Sequence, residues 1–176
     1  MTQHSSERAG GSYRPLAFEL STDRLSLRLR QRQDAALNLE LLGEHEDGPR
    51  PTLAQMEHSL AEQNLRAHQS GIGLLTIRRQ AEDDAIGYCG LVIGRASLDE
   101  PELAYALLRR AHGHGYATEA ASAVLEAAFA TGRRRIWSTV RAWNAPSLRV
   151  LDRLGFAQDH LETDERGELI YLVRDA

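Results

Sequence analysis

The sequence predicts an α/β fold built on a mixed sheet, and three observations carry that expectation. Residues 71–95 read as two apolar runs separated by a polar turn, the pattern of an antiparallel hairpin. Residues 102–109 are apolar on both faces from Leu103 to Leu108, as in a strand buried in the middle of a sheet. A Gly-containing loop, a long apolar helix and a further strand then follow within about forty residues, enough for a right-handed parallel crossover.

Taken in order, residues 1–15 are polar and contain Ser and Gly, which predicts a flexible N-terminal segment ahead of a single domain over 16–176. Leu25, Leu27 and Leu29, with Ser and Arg between them, predict an edge strand with one wet face. Residues 34–42 carry apolar side chains at helical spacing, with Asp34 at the start and Gly43 at the stop position. Charge, Gly48, Pro49 and Pro51 make 44–52 a loop, and Thr52 opens a second helix bearing Met56, Leu60 and Leu65. The hairpin strands 71–79 and 85–95, the strand 102–109, the helix 116–131 and the strand 134–141 come next. Asn144 and Pro146 begin a short helix that Gly155 stops, and a hairpin turning at 165–167 ends the chain.

Composition excludes several classes of function. The chain has 176 residues and 21 basic side chains, every one an arginine. A lysine count of zero removes Schiff-base chemistry and the phosphate-binding lysine of a Walker loop, so any phosphate must be held by arginine or backbone amides. A net charge of -4 without a basic tract argues against a nucleic-acid binder. No apolar run is long enough for a bilayer, the N-terminus has no apolar signal core, and Cys89 is alone. These features predict a cytoplasmic protein without a membrane or nucleic-acid partner.

The chemistry concentrates in residues 110–120, RAHGHGYATEA, which join the buried strand to the long helix. Gly113 and Gly115 let backbone amides converge on a ligand at the positive end of the helix, an anion site that needs no lysine. A tight structural loop is the plain alternative. A dinucleotide site of an oxidoreductase is the other, opposed by Thr118 in place of a third glycine and by hairpin strands upstream. His112 and His114 have the i, i+2 spacing of a metal pair but no third ligand, so no metal is expected.

Arg110-x-x-Gly113-x-Gly115, with Tyr116-Ala117-Thr118-Glu119-Ala120 after it, resembles the acyl-CoA pyrophosphate motif of the GNAT superfamily of N-acetyltransferases. DRLSLR (23–28), IGYCGL (86–91), ELAYAL (102–107) and NAPSLRVLDRLGF (144–156) extend the likeness in order. Together they are most similar to the branch that includes ribosomal-protein alanine N-acetyltransferases.

The resemblance implies a mostly antiparallel sheet with a splayed parallel strand pair and flanking helices, and acetyl-CoA as cosubstrate. It implies that the amides of 110–117, with Arg110, His112, Gly113, His114, Gly115, Tyr116 and Ala117 as the named positions, hold the pyrophosphate. Arg110 and Arg149 are available for CoA's outer phosphates. The strand end at Leu107 and Leu108 offers an amide to the acetyl carbonyl, and Asn144 contacts the cofactor. Ser147 stands beside the departing thiolate. Many superfamily members carry a tyrosine acid four residues later, where this chain has Leu151, so Ser147 is the substitute. Glu102 is the expected base, whereas Glu119, in the first helical turn, reads as structural. Tyr88, Tyr105 and Trp137 read as core or wedge-lining residues and Cys89 as a buried spectator.

The implied reaction is direct attack of a neutral primary amine on the thioester. An α-amino group near pKa 7.7–8.0 is roughly a tenth neutral at pH 7, whereas a lysine-type amine needs about 3.4 units of help, so a protein N-terminus suits a modest base. A small-molecule amine and a catalytically silent acyl-CoA sensor are the alternatives, with the acceptor pocket placed between 34–65 and the terminal hairpin. A homodimer is left open.

Overall fold

The computed structural model of the protein describes residues 13–45 and 48–176. The elements run β1 (Glu19–Ser21), β2 (Leu25–Leu29), α1 (Ala35–His45), α2 (Leu53–Ser70), β3 (Leu74–Arg79) and β4 (Asp84–Val92), then β5 (Glu102–Leu107), α3 (Tyr116–Ala130), β6 (Arg135–Arg141), α4 (Ala145–Arg153), β7 (Ala157–Asp164) and β8 (Gly167–Asp175). All eight strands form one sheet in the order β1-β2-β3-β4-β5-β6-β8-β7. Every neighbouring pair is antiparallel except β5 and β6, which are parallel.

That parallel pair barely pairs. Glu102 and Trp137 are its one register pair, closed by Trp137 N–H donating to the Pro101 carbonyl at 2.9 Å. One step on, a buried Ser138 hydroxyl donates to the Leu103 carbonyl at 3.1 Å, a side chain standing where the backbone ladder stops. The sheet is thereby split towards the C-terminal ends of β5 and β6, the expected splayed pair.

Helix α3 covers one face of the sheet. Its buried stripe of Ala120, Ala121, Val124, Leu125 and Ala128 is short in side chain, so the helix sits close to the main core with Leu25, Ile77, Ile86 and Ile136. Helices α1 and α2 cover the opposite face, where Leu37 and Leu41 pack with Leu108. Helix α2 begins on a reciprocal cap: Thr52 Oγ1 accepts from Gln55 N–H at 3.2 Å, and Gln55 Oε1 accepts from Thr52 N–H at 2.8 Å.

Three expectations are corrected. The strand of Leu25 to Leu29 is not an edge, because β1 pairs outside it through Glu19 with Arg28 and Ser21 with Ser26. Helix α1 does not stop at Gly43 but runs through it to His45, with the Arg50 guanidinium packed against the glycine. The strand predicted from residue 71 starts at Leu74, because Gly71, at φ 73°, closes α2.

Most of the predicted flexible segment lies outside the described residues, but its end is anchored. Arg14 N–H donates to Thr131 O at 3.1 Å, and the Arg133 guanidinium stacks on Tyr13 at 4.6 Å. Among the described residues no helix is long and apolar enough to cross a membrane.

Candidate functional site

The split between β5 and β6 opens into a cavity of about 960 Å³, bounded by the end of β5, the N-terminus of α3 and the start of α4. Gly113 and Gly115 stand at φ 77° and 79°, a conformation that side chains resist, and Gly115 is the N-cap of α3. No side chain caps this helix, so its first-turn amides are left to a ligand at the positive end of the helix.

The loop is stiffened by its own histidines. His112 Nε2 bonds the Leu107 carbonyl at 2.9 Å and His114 Nδ1 bonds the His112 carbonyl at 2.7 Å. A carbonyl only accepts, so each ring nitrogen carries the proton. Arg24 clamps the same loop from the far end of the sequence. It donates to His114 O at 2.9 Å, lies 4.6 Å over Tyr116 and pairs with Glu119. Glu119 also accepts from the Thr22 hydroxyl at 2.6 Å and from Arg24 N–H at 3.1 Å. Burial pushes its carboxyl up, but these bonds outweigh it and hold the group below the usual carboxylate range. Glu119 is therefore a latch, in keeping with its structural reading.

Gly113, Gly115, Tyr116, Ala117, His112 and Leu107 line the cavity, as do Asn144, Ser147 and Arg149. Asn144 is the N-cap of α4, its Oδ1 accepting from Ser147 N–H at 3.2 Å. Tyr105 bridges the split by donating its hydroxyl to the Ser147 carbonyl at 3.2 Å. Burial pushes its phenol up to about 12, so it remains a proton-bearing donor through the ordinary pH range.

Leu108 and Arg110 depart from expectation. The Leu108 N–H is taken by Ile86 O at 2.8 Å, and the side chain is wholly buried against Leu37 and Leu41, so this amide has nothing to give an acetyl group. By the alternation of the antiparallel β4–β5 ladder, the Leu107 N–H instead turns towards β6 and the split. The Arg110 guanidinium points away from the cavity, bonded to Glu40 at 2.6 Å and to Ala85 O at 3.3 Å, with Asp84 at 3.7 Å. Strand exit geometry, not sequence, decides both.

Glu102 lies on the same face of β5 as Ala106, four residues upstream. It is buried, accepting from Arg95 N–H and, at 3.1 Å, from the Thr139 hydroxyl, and it lines neither cavity described here. Leu151, at the position where a tyrosine acid is common, is wholly buried in the main core. Cys89 is equally buried, which pushes its thiol up.

Sequence reasoning missed Arg109, Trp143 and Arg153, which also line the cavity. Arg149 and Arg153 are one helical turn apart on α4, and among the described residues neither is in an ion pair. Their i, i+4 spacing next to Asn144 was the available signal. A second cavity, of about 230 Å³, lies on the α1–α2 side of the sheet, and Ala106 lines both.

A crossover loop with an open helix end, two spare arginines and a split sheet suits a long anionic cosubstrate carrying its reactive group between two strands. The family comparison agrees: residues 24–157 match the model of the acetyltransferase (GNAT) domain, and the chain belongs to that family. It is an acyltransferase whose cosubstrate is acetyl-CoA. An acetyltransferase from Agrobacterium tumefaciens shares 26% identity at a TM-score of 0.66, covering 90% of this chain and 94% of that one. A ribosomal-protein-S5-alanine acetyltransferase from Vibrio fischeri superposes at 0.76 with 18% identity, covering 89% and 96%. RimJ from Mycobacterium smegmatis, solved with CoA-disulfide, superposes at 0.73 with 20% identity, covering 86% and 82%. No curated protein matches the sequence.

Proposed function

We propose that the enzyme transfers acetyl from acetyl-CoA directly to a primary amine that enters from the α1–α2 side of β5. The carrying observation is Ala106, which lines both the large cavity and the smaller one behind it, so two substrates approaching from opposite faces meet at this strand end. The first-turn amides of α3 and the loop from His112 to Ala117 receive the pyrophosphate, with Arg149 and Arg153 near the outer phosphates. Leu107 N–H donates to the acetyl carbonyl oxygen, polarising it and then stabilising the oxyanion.

The amine lone pair attacks the carbonyl carbon, the tetrahedral adduct collapses, and the C–S bond breaks with its electron pair on sulfur. Ser147, on the cavity wall, donates a hydrogen bond to the thiolate, or passes it a proton that solvent restores to the hydroxyl. The proton lost by the amine passes to Glu102 through water, since four residues of strand, roughly 13 Å, separate it from Ala106. The acceptor in this reading is an N-terminal α-amine, whose partial neutrality at pH 7 asks little of so indirect a base. The name of the Vibrio fischeri enzyme, a ribosomal-protein-S5-alanine acetyltransferase, supports it.

Leu151 in place of a tyrosine supports a second reading, a CoA-binding sensor without turnover. Thiol release from acetyl-CoA with a panel of N-terminal peptides and small amines separates the two. Amine-dependent release is expected, and its absence with every amine, under conditions where acetyl-CoA binds, removes the transferase reading.

A further inference from the structure

Among the described residues the smaller cavity contains one ionised side chain, and it is a buried cation. Arg30 leaves the end of β2 and is 8 % exposed. Its guanidinium lies 4.8 Å over the Tyr88 ring, donates through Nη1 to Asn38 Oδ1 at 2.6 Å, and donates through Nη2 to Gln63 Oε1. Both partners are neutral amides, and among the described residues no carboxylate lies within ion-pairing distance of Arg30. The acid with the nearest field is Asp34, whose carboxylate is spent on Arg28 at 2.7 and 2.9 Å, on Gln31 N–H and on the Thr76 hydroxyl. Arg30 Nε is fully buried and has no hydrogen-bond partner.

A buried charge answered by two amides and an aromatic face, with one donor unmet, is an expensive arrangement that a bound anion would relieve. The cavity has the build of a small-ligand site: Leu41, Met56 and Leu60 form an apolar wall, Asn38, Ser59 and Gln63 gather on the polar side with Arg30, and Ala106 marks the reacting end. Among the described residues no acidic side chain lines it, so a polycationic acceptor meets a like charge.

We infer that the acceptor is a primary amine carrying a carboxylate, with the carboxylate held at Arg30 and the amine directed to Ala106. This rests on the acetyltransferase reading and deepens it by naming the acceptor class. A free amino acid supplies the carboxylate itself; a peptide supplies it from an acidic residue at its N-terminus. Binding requires Gln63 or Asn38 to yield its place on the guanidinium fork, and the fork then takes the carboxylate in two parallel bonds.

The test compares wild-type protein on matched acceptors: alanine against alaninamide, and a peptide beginning Asp-Ala against one beginning Asn-Ala. kcat/KM should favour the carboxylate member of at least one pair by about 10- to 100-fold, the range of one charge-assisted contact, and the favoured pair identifies the source. In Arg30→Met that preference ratio should collapse towards one, while Arg30→Lys keeps part of it. Equal kcat/KM within both pairs overturns the inference, even if Arg30→Met does not fold. Thermal shift with CoA present reads the site without turnover. A carboxylate-dependent shift with no acetylation would keep the Arg30 site and remove the transferase reading; acetylation without any carboxylate preference would do the reverse.

Discussion

At the level of single residues, the cofactor loop turns on two glycines held in a left-handed backbone. A Cβ at Gly113 would meet nothing within 4 Å, so the demand there is on φ rather than on space inside the protein. Gly113→Ala should therefore cost only about 1–2 kcal/mol of stability. Gly113→Asp adds a negative charge to an anion site, and calorimetry should find acetyl-CoA binding lost. Full-affinity binding by this variant would move the pyrophosphate elsewhere. Ser147→Ala should slow single-turnover transfer by roughly tenfold or more while cofactor affinity holds, as for loss of an acid. An unchanged rate removes Ser147 from the chemistry. Glu102 has two separable outcomes in Glu102→Gln. As a base it loses turnover with stability kept; as an anchor of the Arg95 turn it loses stability while the folded protein keeps its turnover.

Between elements, the Glu119 latch ties α3 to the turn joining β1 and β2. Its carboxyl is depressed in the folded protein, so its contribution is complete above the ordinary carboxylate range and fades as pH falls through the lowered value. Glu119→Gln should cost about 1–3 kcal/mol at pH 7, and the gap from wild type should narrow below about pH 4. Melting curves across pH check this, and a gap that widens on acidification contradicts it. This latch also shows where sequence reading stops. The carboxylate and its partners Thr22 and Arg24 are 97 and 95 residues apart, and no periodicity carries a contact of that span. The hairpin β3–β4, strand β5 and helix α3 were legible because each buries a regular apolar pattern. Strand β1 was not, being three residues long with little burial. The cavity-lining loop could be read from its glycines, but the outward turn of Arg110 depends on Glu40, a neighbour supplied by α1. The Arg30 pocket needed five separate segments to meet.

Across the whole molecule, the proposed acetyl-CoA site is a gap between two parts of one sheet, so binding there should stabilise both together. At a hundredfold excess over Kd, linkage gives about 2.7 kcal/mol, a rise of roughly 5–10 °C in Tm for a chain of this size. NAD should give none; a shift with NAD and not with acetyl-CoA contradicts the assignment. The lone Glu102–Trp137 rung carries a mechanical meaning as well. Strands β6, β8 and β7 form a blade joined to the remaining five by one backbone rung, by the Ser138 and Thr139 hydroxyls and by side chains packed on α3. Such a blade is compliant: it bends about the rung and stiffens only when something grips its open side. Thr139 N–H lies on the same side of β6 as the Trp137 N–H that reaches Pro101, two residues nearer the mouth. Its hydrogen exchange should act as a strain gauge for the jaw, fast in the free enzyme and slow when the cosubstrate is clasped.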